Sequence, residues 1–262
     1  MVKSSAGGSE LQKRVVVGVV LICVALACLI AGGPLFWMLA SLAGVLMQGE
    51  WADLLGASPA DRKRSMFAVS IPLALLSPWA AGPSIVVLGA LVICAVAVLA
   101  FSRSAALAAG LFYIGLPVTA LMFLRGVEGE GLLLAGWALS LVWATDIGAF
   151  FVGRSVGGPK LAPRVSPSKT WSGLAGGVLS ALAVGYILHL QFGLPSVLAA
   201  ASGLLAVAAQ LGDLFESWLK RRAGVKDSSN LLPGHGGVLD RLDGVVTAAP
   251  VAALIVLWMV LG

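Results

Sequence analysis

The chain has 262 residues, of which 59% are hydrophobic and only 11% are charged. A soluble exterior would need far more charged side chains than this. The composition therefore excludes a soluble globular domain, a disordered chain and a disulfide scaffold, and it indicates a multi-pass membrane protein. The 17 Lys and Arg exceed the 12 Asp and Glu. In so apolar a chain, this excess is typical of cytoplasmic loops rather than of nucleic-acid binding.

Nine apolar segments are candidates for membrane-spanning helices, which need about 20 residues each. They lie at 15–31, 33–49, 66–81, 84–101, 105–124, 131–152, 172–191, 195–218 and 244–262. We therefore predict an all-α, polytopic integral membrane protein with about nine transmembrane helices. A single re-entrant pair is an open alternative for the two short first segments. We expect the first segment to be a transmembrane helix rather than a cleaved signal, because its apolar run continues past the small residues that imitate a cleavage site.

The basic residues predict the orientation of these segments. With the N-terminus in the cytoplasm, every Lys and Arg except Arg125 falls on the cytoplasmic side. We expect a multi-pass protein of the inner (cytoplasmic) membrane, with its active site in the cytoplasm and its C-terminus outside. We divide the chain into an N-terminal region of about five spans (1–125) and a catalytic region of about four spans with two basic inner loops (126–262).

Acidic residues at membrane depth are costly and indicate function. Asp146, Asp213 and Glu216 are of this kind. The spacing of Asp213, Glu216 and Lys220 places them on one helical face, which suits a metal site. A simple Glu216–Lys220 ion pair is the structural alternative, and it leaves Asp213 without an obvious partner. For Asp146 the alternative is a helix polar group bonded to a neighbouring hydroxyl.

The polar segment 220–243 combines early cations, a glycine-rich turn and carboxylates. Glycines let backbone N–H groups approach oxyanions, Lys and Arg neutralise them, and carboxylates hold Mg²⁺. This pattern favours a polyphosphate with a hard cation over a merely basic loop. The loop 153–169 is a weaker second candidate for anion contact. The chain has no Walker loop, dinucleotide-binding glycine motif or His-Glu-x-x-His motif. Of the two histidines, His235 in the polar segment is the better candidate ligand, because His189 lies within an apolar segment.

The run from Ser217 to Asp243 resembles the signature of bacterial phosphatidate cytidylyltransferases, the CDP-diacylglycerol synthases. The resemblance extends upstream to Asp146-Ile147-Gly148-Ala149-Phe150-Phe151 and to Ser166-Pro167-Ser168-Lys169-Thr170-Trp171. At one position the chain departs from the family, because it has Ser172 where the family commonly has Glu. The resemblance implies transfer of CMP from CTP to phosphatidic acid, with release of pyrophosphate.

The resemblance also implies roles for individual residues. Asp213 and Asp240 would be the main metal ligands, with Asp243 second, and the cofactor would be Mg²⁺, with a second cation as an open alternative. The expected catalytic residues are Asp213, Asp240, Lys226, Arg241 and His235. The expected substrate-binding residues are Asp146, Ser166, Lys169, Lys220, Arg221, Asp227, Gly236 and Gly237. The expected partners are CTP, phosphatidic acid and membrane lipids, with a homodimer as an open alternative and no nucleic acid.

Other activities remain alternatives at the level of the sequence. A CTP-dependent kinase of a lipid alcohol, such as a polyprenol, is the nearest. An ion-coupled transporter would explain Asp146 but not the glycine-rich basic segment. A CDP-alcohol phosphotransferase would need a longer aspartate motif that the chain lacks.

Overall fold

The computed structural model describes residues 6–232 and 234–261. Within these ranges the chain forms nine α-helices and one antiparallel pair of short strands. In chain order they are α1 (Ala6–Ala31), α2 (Gly33–Leu54), α3 (Pro59–Leu75), α4 (Ile85–Ser102), α5 (Ala105–Gly126), α6 (Gly131–Val156), β1 (Lys160–Ala162), β2 (Ser166–Thr170), α7 (Trp171–Phe192), α8 (Ser196–Arg222) and α9 (Leu239–Leu261). The predicted locations of the two termini concern Met1 and Gly262, which lie outside the described residues.

Six of the described helices, α4 to α9, are long and apolar enough to cross a membrane. The chain is therefore a mostly helical, multi-pass membrane protein, as predicted, but the count of about nine spans is not confirmed. In α1 the apolar part is the shorter stretch Val15–Ala31. Polar residues near the end of α2 (Gln48, Glu50 and Asp53) lower its hydropathy, and α3 is only 17 residues long and begins with charged residues.

Two helices begin earlier than the apolar pattern predicted. α3 starts at Pro59 rather than at residue 66, because Ser58 caps it by accepting a hydrogen bond of 3.1 Å from the Asp61 N–H. α9 starts at Leu239 rather than at residue 244. Consequently Asp240 lies in the first turn of α9, where the helix dipole favours a carboxylate.

The strand pair β1–β2 was not predicted, since residues 153–169 were expected to form an irregular loop. The strands pair Lys160 with Thr170 and Ala162 with Ser166. Thr170 then caps α7 by accepting a hydrogen bond of 3.1 Å from the Gly173 N–H. The hairpin is thereby fixed to the start of α7.

Ser172, where the sequence departs from the resembled family, has a structural role here. Its hydroxyl donates a hydrogen bond to the Gly157 carbonyl and lies 3.0 Å from Thr170 Oγ1. Ser172 therefore ties the start of α7 to the residue that follows α6.

Helices of the N-terminal region pack on each other and on helices of the C-terminal region. α6 lies against α7 at glycines, since a Cβ at Gly176 would overlap Val152 and one at Gly148 would overlap Ser180. The buried Trp137 indole donates a hydrogen bond of 2.9 Å to Ser202 Oγ, which links α6 to α8. α5 packs on α9, and α2 packs on α3 and α5. This arrangement brings the ends of α2 and α8 to the start of α9.

Candidate active site

The hairpin supplies the partner that Asp213 lacked in the sequence. Lys169 Nζ, from β2, lies 2.5 Å from Asp213 Oδ2 on α8. Ser217, one helical turn later, donates a hydrogen bond of 3.2 Å to Asp213 Oδ1. The structure thus joins two sequence-predicted site residues that are far apart in the chain.

Three helices contribute one carboxylate each to the same neighbourhood. Asp213 on α8 interacts electrostatically with Asp146 on α6 and with Asp243 on α9. We call these three residues the carboxylate triad. Lys169 is the one cation that forms an ion pair with the triad among the described residues. Lys220 also interacts electrostatically with Asp243. Three carboxylates near two ammonium groups leave an excess of negative charge, which favours the binding of a further cation.

The side chains next to the triad orient its members. Gln210 Nε2 lies 3.4 Å from Asp146 Oδ1, and Asp243 Oδ1 accepts a hydrogen bond of 2.7 Å from the Gly244 N–H. The Asp146 side chain is exposed, whereas Gln210 is buried. Gln210 was not predicted. Its signal in the sequence is a polar amide one helical turn before Asp213.

Asp240 has a different set of neighbours. Its Oδ1 accepts a hydrogen bond of 2.7 Å from Lys220 Nζ, which also lies 3.0 Å from Glu216 Oε1. Its Oδ2 accepts hydrogen bonds from the Gly237 N–H (2.7 Å) and from both the N–H (2.8 Å) and the hydroxyl (2.9 Å) of Ser228. Asp240 therefore holds together the end of α8, the start of α9 and the segment between them. We call that segment, residues 223–238 with Pro233 outside the described part, the glycine-rich loop.

A carboxylate from the N-terminal region also reaches this loop. Glu50, at the end of α2, is only 3% exposed and accepts hydrogen bonds from the Val238 and Leu239 N–H groups. Glu50 lies between the second and third apolar segments of the sequence, and no role was predicted for it. Its signal was its position as the first acidic residue after the charge-free stretch Val15–Gly49.

The two adjacent glycines of the loop are required by its shape. Gly236 has a φ of +80°, which favours glycine. A Cβ at Gly237 would overlap the Ser228 hydroxyl and would lie 2.5 Å from Glu50 Oε1. Their predicted contact with substrate phosphates stays a prediction.

The remaining predicted site residues lie at the edge of this region. Arg221, Lys226, Asp227 and Arg241 are exposed, whereas His235 and Ser166 are partly buried. Arg241 donates hydrogen bonds of 2.8 Å (Nε) and 2.5 Å (Nη2) to the His235 carbonyl. Arg221 Nη1 donates one of 3.0 Å to the Val225 carbonyl. Both arginines thus support the loop while their guanidinium groups stay accessible to an anion.

An aromatic cluster packs beside the acidic groups and was not predicted. The Tyr113 ring lies 4.9 Å from the Trp51 ring and 5.4 Å from the Phe215 ring, between ring centroids. The Tyr113 hydroxyl interacts electrostatically with Glu216, Asp243 and Asp213. The cluster joins α2, α5 and α8 next to the triad.

The donor set of the triad fits Mg²⁺. Among the described residues there is no group of three or more His, Cys, Asp or Glu side chains arranged to hold a metal ion. Mg²⁺ needs no such group, since it commonly binds one or two carboxylates together with waters and substrate phosphates. That Asp213 and Asp243 hold Mg²⁺ stays a prediction. Asp240 is engaged by Lys220 and the loop, and its role as a metal ligand stays a prediction.

Comparison with known proteins assigns residues 12–259 of the chain to one family. The profile of the cytidylyltransferase family matches residues 12–259. The phosphatidate cytidylyltransferase of Brucella suis is 41% identical over 253 residues, which is 92% of this chain and 91% of that protein. The enzyme of the same name from Rickettsia felis is 33% identical over 91% of this chain and 88% of its own length. That from Bacillus subtilis is 45% identical over 53% of this chain and 52% of its own length. The similarity therefore includes the N-terminal helices.

Proposed function

We infer that this chain, which belongs to the cytidylyltransferase family, transfers CMP from CTP to phosphatidic acid and releases pyrophosphate. The product is CDP-diacylglycerol, an intermediate of phospholipid biosynthesis. The observation that carries this conclusion is the similarity to named phosphatidate cytidylyltransferases over nine-tenths of the chain. The kinase and transporter alternatives have no comparable support.

The chemistry asks for positioning and charge neutralisation rather than for a general base. A phosphate oxygen of phosphatidate attacks the α-phosphorus of CTP, and the bond from that phosphorus to pyrophosphate breaks. Because the nucleophile is already an anion, the protein must bring two mutually repelling anions into line. Lys169, Lys226 and Arg241 are the cations that we assign to this task. Lys169 is placed by the hairpin beside Asp213, and Arg241 borders the glycine-rich loop.

We assign Mg²⁺ to the triad, with Asp213 and Asp243 as the ligands and Asp146 as a nearby negative charge. When bound, the ion neutralises developing charge on the phosphate oxygens. The protein's own contribution is to hold these carboxylates on three separate helices. We assign Asp240 and Lys220 to the ordering of the glycine-rich loop, whose backbone and His235 then face the pyrophosphate.

We propose that this site opens to the cytoplasm, where CTP is dissolved. The support is the distribution of basic residues, which places every Lys and Arg except Arg125 on one side when the chain has about nine spans. A membrane-embedded site at helix ends also gives access to a lipid substrate and to a soluble nucleotide.

The activity is tested by following two different labels of CTP. Purified protein in detergent is incubated with phosphatidate, Mg²⁺ and CTP labelled at either the α- or the γ-phosphorus. Cytidylyl transfer puts the α-label in the lipid and the γ-label in pyrophosphate. A lipid kinase would give the reverse, with the γ-label in the lipid and CDP as the product. The reverse pattern, or no CTP consumption, would overturn the proposed function.

A further inference from the structure

The Glu50 carboxylate is buried and is bound by donors that lie far away in the chain. Its Oε1 accepts hydrogen bonds from Ser229 Oγ (2.6 Å) and the Val238 N–H (2.9 Å). Its Oε2 accepts one from the Leu239 N–H (2.7 Å) and lies 3.3 Å from Ser228 Oγ, whose single proton it shares with Asp240 Oδ2. No cation forms an ion pair with Glu50 among the described residues. A buried carboxylate is costly unless it is hydrogen-bonded, so these donors stabilise its charge.

Two of these donors belong to the start of α9. The first N–H groups of an α-helix have no partner within the helix, and a nearby negative charge is favourable there. Glu50 satisfies the N–H groups of Val238 and Leu239. The cap of α9 is therefore supplied by a residue of α2. Glu50 lies 189 positions before Leu239 in the chain.

The other two donors connect Glu50 to the remainder of the glycine-rich loop. The Ser228 hydroxyl lies within hydrogen-bonding distance of both Glu50 Oε2 and Asp240 Oδ2. Gly237 packs against Glu50 so closely that a Cβ there would lie 2.5 Å from Oε1. Glu50 thus contacts the middle of the loop at Ser228 and Ser229 and its end at Val238, and the Ser228 hydroxyl connects it to Asp240.

We propose that Glu50 is a positioning residue for the cytidylyl transfer. It fixes the glycine-rich loop and the start of α9, and through them the positions of Asp240 and Asp243. Through Glu50, the N-terminal helix α2 thus helps to form the active site. The proposal rests on the proposed function for its catalytic consequence, whereas its structural part, the order of the loop, does not depend on that function.

The test compares Glu50→Gln with Asp53→Asn, a matched control on the same helix. Asp53 is exposed and pairs with Arg62 (2.8 Å). Among the described residues its side chain forms no hydrogen bond with the glycine-rich loop. Trypsin cleavage after Arg221, Arg222 and Lys226 reports the order of the loop in the absence of substrate. kcat and KM for CTP report the consequence for the reaction, and thermal unfolding reports the stability of the helices.

We expect Glu50→Gln to speed tryptic cleavage of the loop and to lower kcat/KM by about 10–100-fold, the usual effect of losing a residue that orients site groups. The glutamine side chain has only one acceptor oxygen. Its NH₂ group would therefore face one of the two backbone N–H groups that Glu50 accepts from, and two donors cannot form a hydrogen bond with each other. Glu50→Asp, which restores the charge, should recover part of both losses. Asp53→Asn should match the wild type in both measurements.

Ser229→Ala keeps the test decisive if Glu50→Gln does not fold. It removes one hydrogen bond to Glu50, together with the longer one that the Ser229 hydroxyl accepts from the Leu231 N–H (3.2 Å). It should produce a smaller change of the same kind, and its effect should be less than additive with that of Glu50→Gln. Wild-type cleavage of the loop in Glu50→Gln would overturn the proposal, and where that variant does not fold, wild-type cleavage in Ser229→Ala would do so. Lost activity with an unchanged loop would overturn it as well. A wild-type protein without cytidylyltransferase activity would instead count against the proposed function and leave the cleavage result standing.

Discussion

Lys169 of the β1–β2 hairpin and Asp213 of α8 form an ion pair of 2.5 Å, which joins the two polar segments of the C-terminal region. Their side chains are 16% and 27% exposed, so the pair is shielded but still reachable by a substrate. A lysine in this position neutralises the first acidic residue of α8 and leaves an ammonium group beside the carboxylate triad. The pair is thus suited to meet a phosphate and a metal ion together.

Removing the Lys169 charge should lower turnover more than it lowers stability. We expect Lys169→Met to reduce kcat/KM by about 10–100-fold, because a charge-assisted contact to phosphate is worth roughly 1.5–3 kcal/mol. Lys169→Arg keeps the charge and should retain more activity. Steady-state kinetics with CTP and phosphatidate measure the effect. Lys63→Met, at an exposed position on α3, is the control, and an equal loss there would show a non-specific charge effect.

Adding one methyl group to the glycine-rich loop should disable the site. At Gly237 a Cβ meets the Ser228 hydroxyl and the Glu50 carboxylate, both of which are buried. We expect Gly237→Ala to displace the loop and lower activity by at least about tenfold, since a misplacement of 1 Å can cost about 100-fold. Gly136→Ala on α6, where nothing lies within 4 Å of the added Cβ, is the matched control. Equal activity of the two variants would contradict the packing argument.

Loss of the Asp240 charge should destabilise the protein. Asp240→Asn weakens the contact with Lys220 and presents an amide to the loop N–H groups, while Glu216 still pairs with Lys220. We expect the free energy of unfolding to fall by about 1–3 kcal/mol, the cost of leaving buried polar groups unsatisfied. Thermal unfolding in detergent measures this. Glu128→Gln, at an exposed position, should leave the melting temperature unchanged, and an unchanged value for Asp240→Asn would show that the contact contributes little.

The sequence predicted the features that depend on local pattern. The apolar stretches gave the helical class, and the acidic residues at membrane depth pointed to Asp146 and Asp213. The start of α9 could not be predicted, because its first N–H groups are capped by Glu50 from another helix. The ion pair of Lys169 depends on a hairpin whose strands are three and five residues long, too short to leave an alternating pattern. Contacts between distant segments are set by packing, which hydropathy does not encode.

The membrane topology can be tested with a reporter that is active only in the cytoplasm. With about nine spans and a cytoplasmic N-terminus, a fusion after Gly262 should give no signal. A fusion after Ala223, at the end of α8, should give a strong signal, because the glycine-rich loop is then cytoplasmic. A strong signal after Gly262 would contradict the count of nine and would fit an even number of spans.

If Asp213 and Asp243 act together on one cation, a Mg²⁺ titration of Asp213→Asn, Asp243→Asn and the double variant will show it. Asn keeps the volume of each side chain and removes its charge. Each single change should lower kcat by about 100-fold or more, since charge stabilisation by a metal ion is worth several kcal/mol. The double variant should be little worse than either single one, because groups that act as a unit are non-additive. Near-normal activity with an unchanged Mg²⁺ requirement in either single variant would contradict the account.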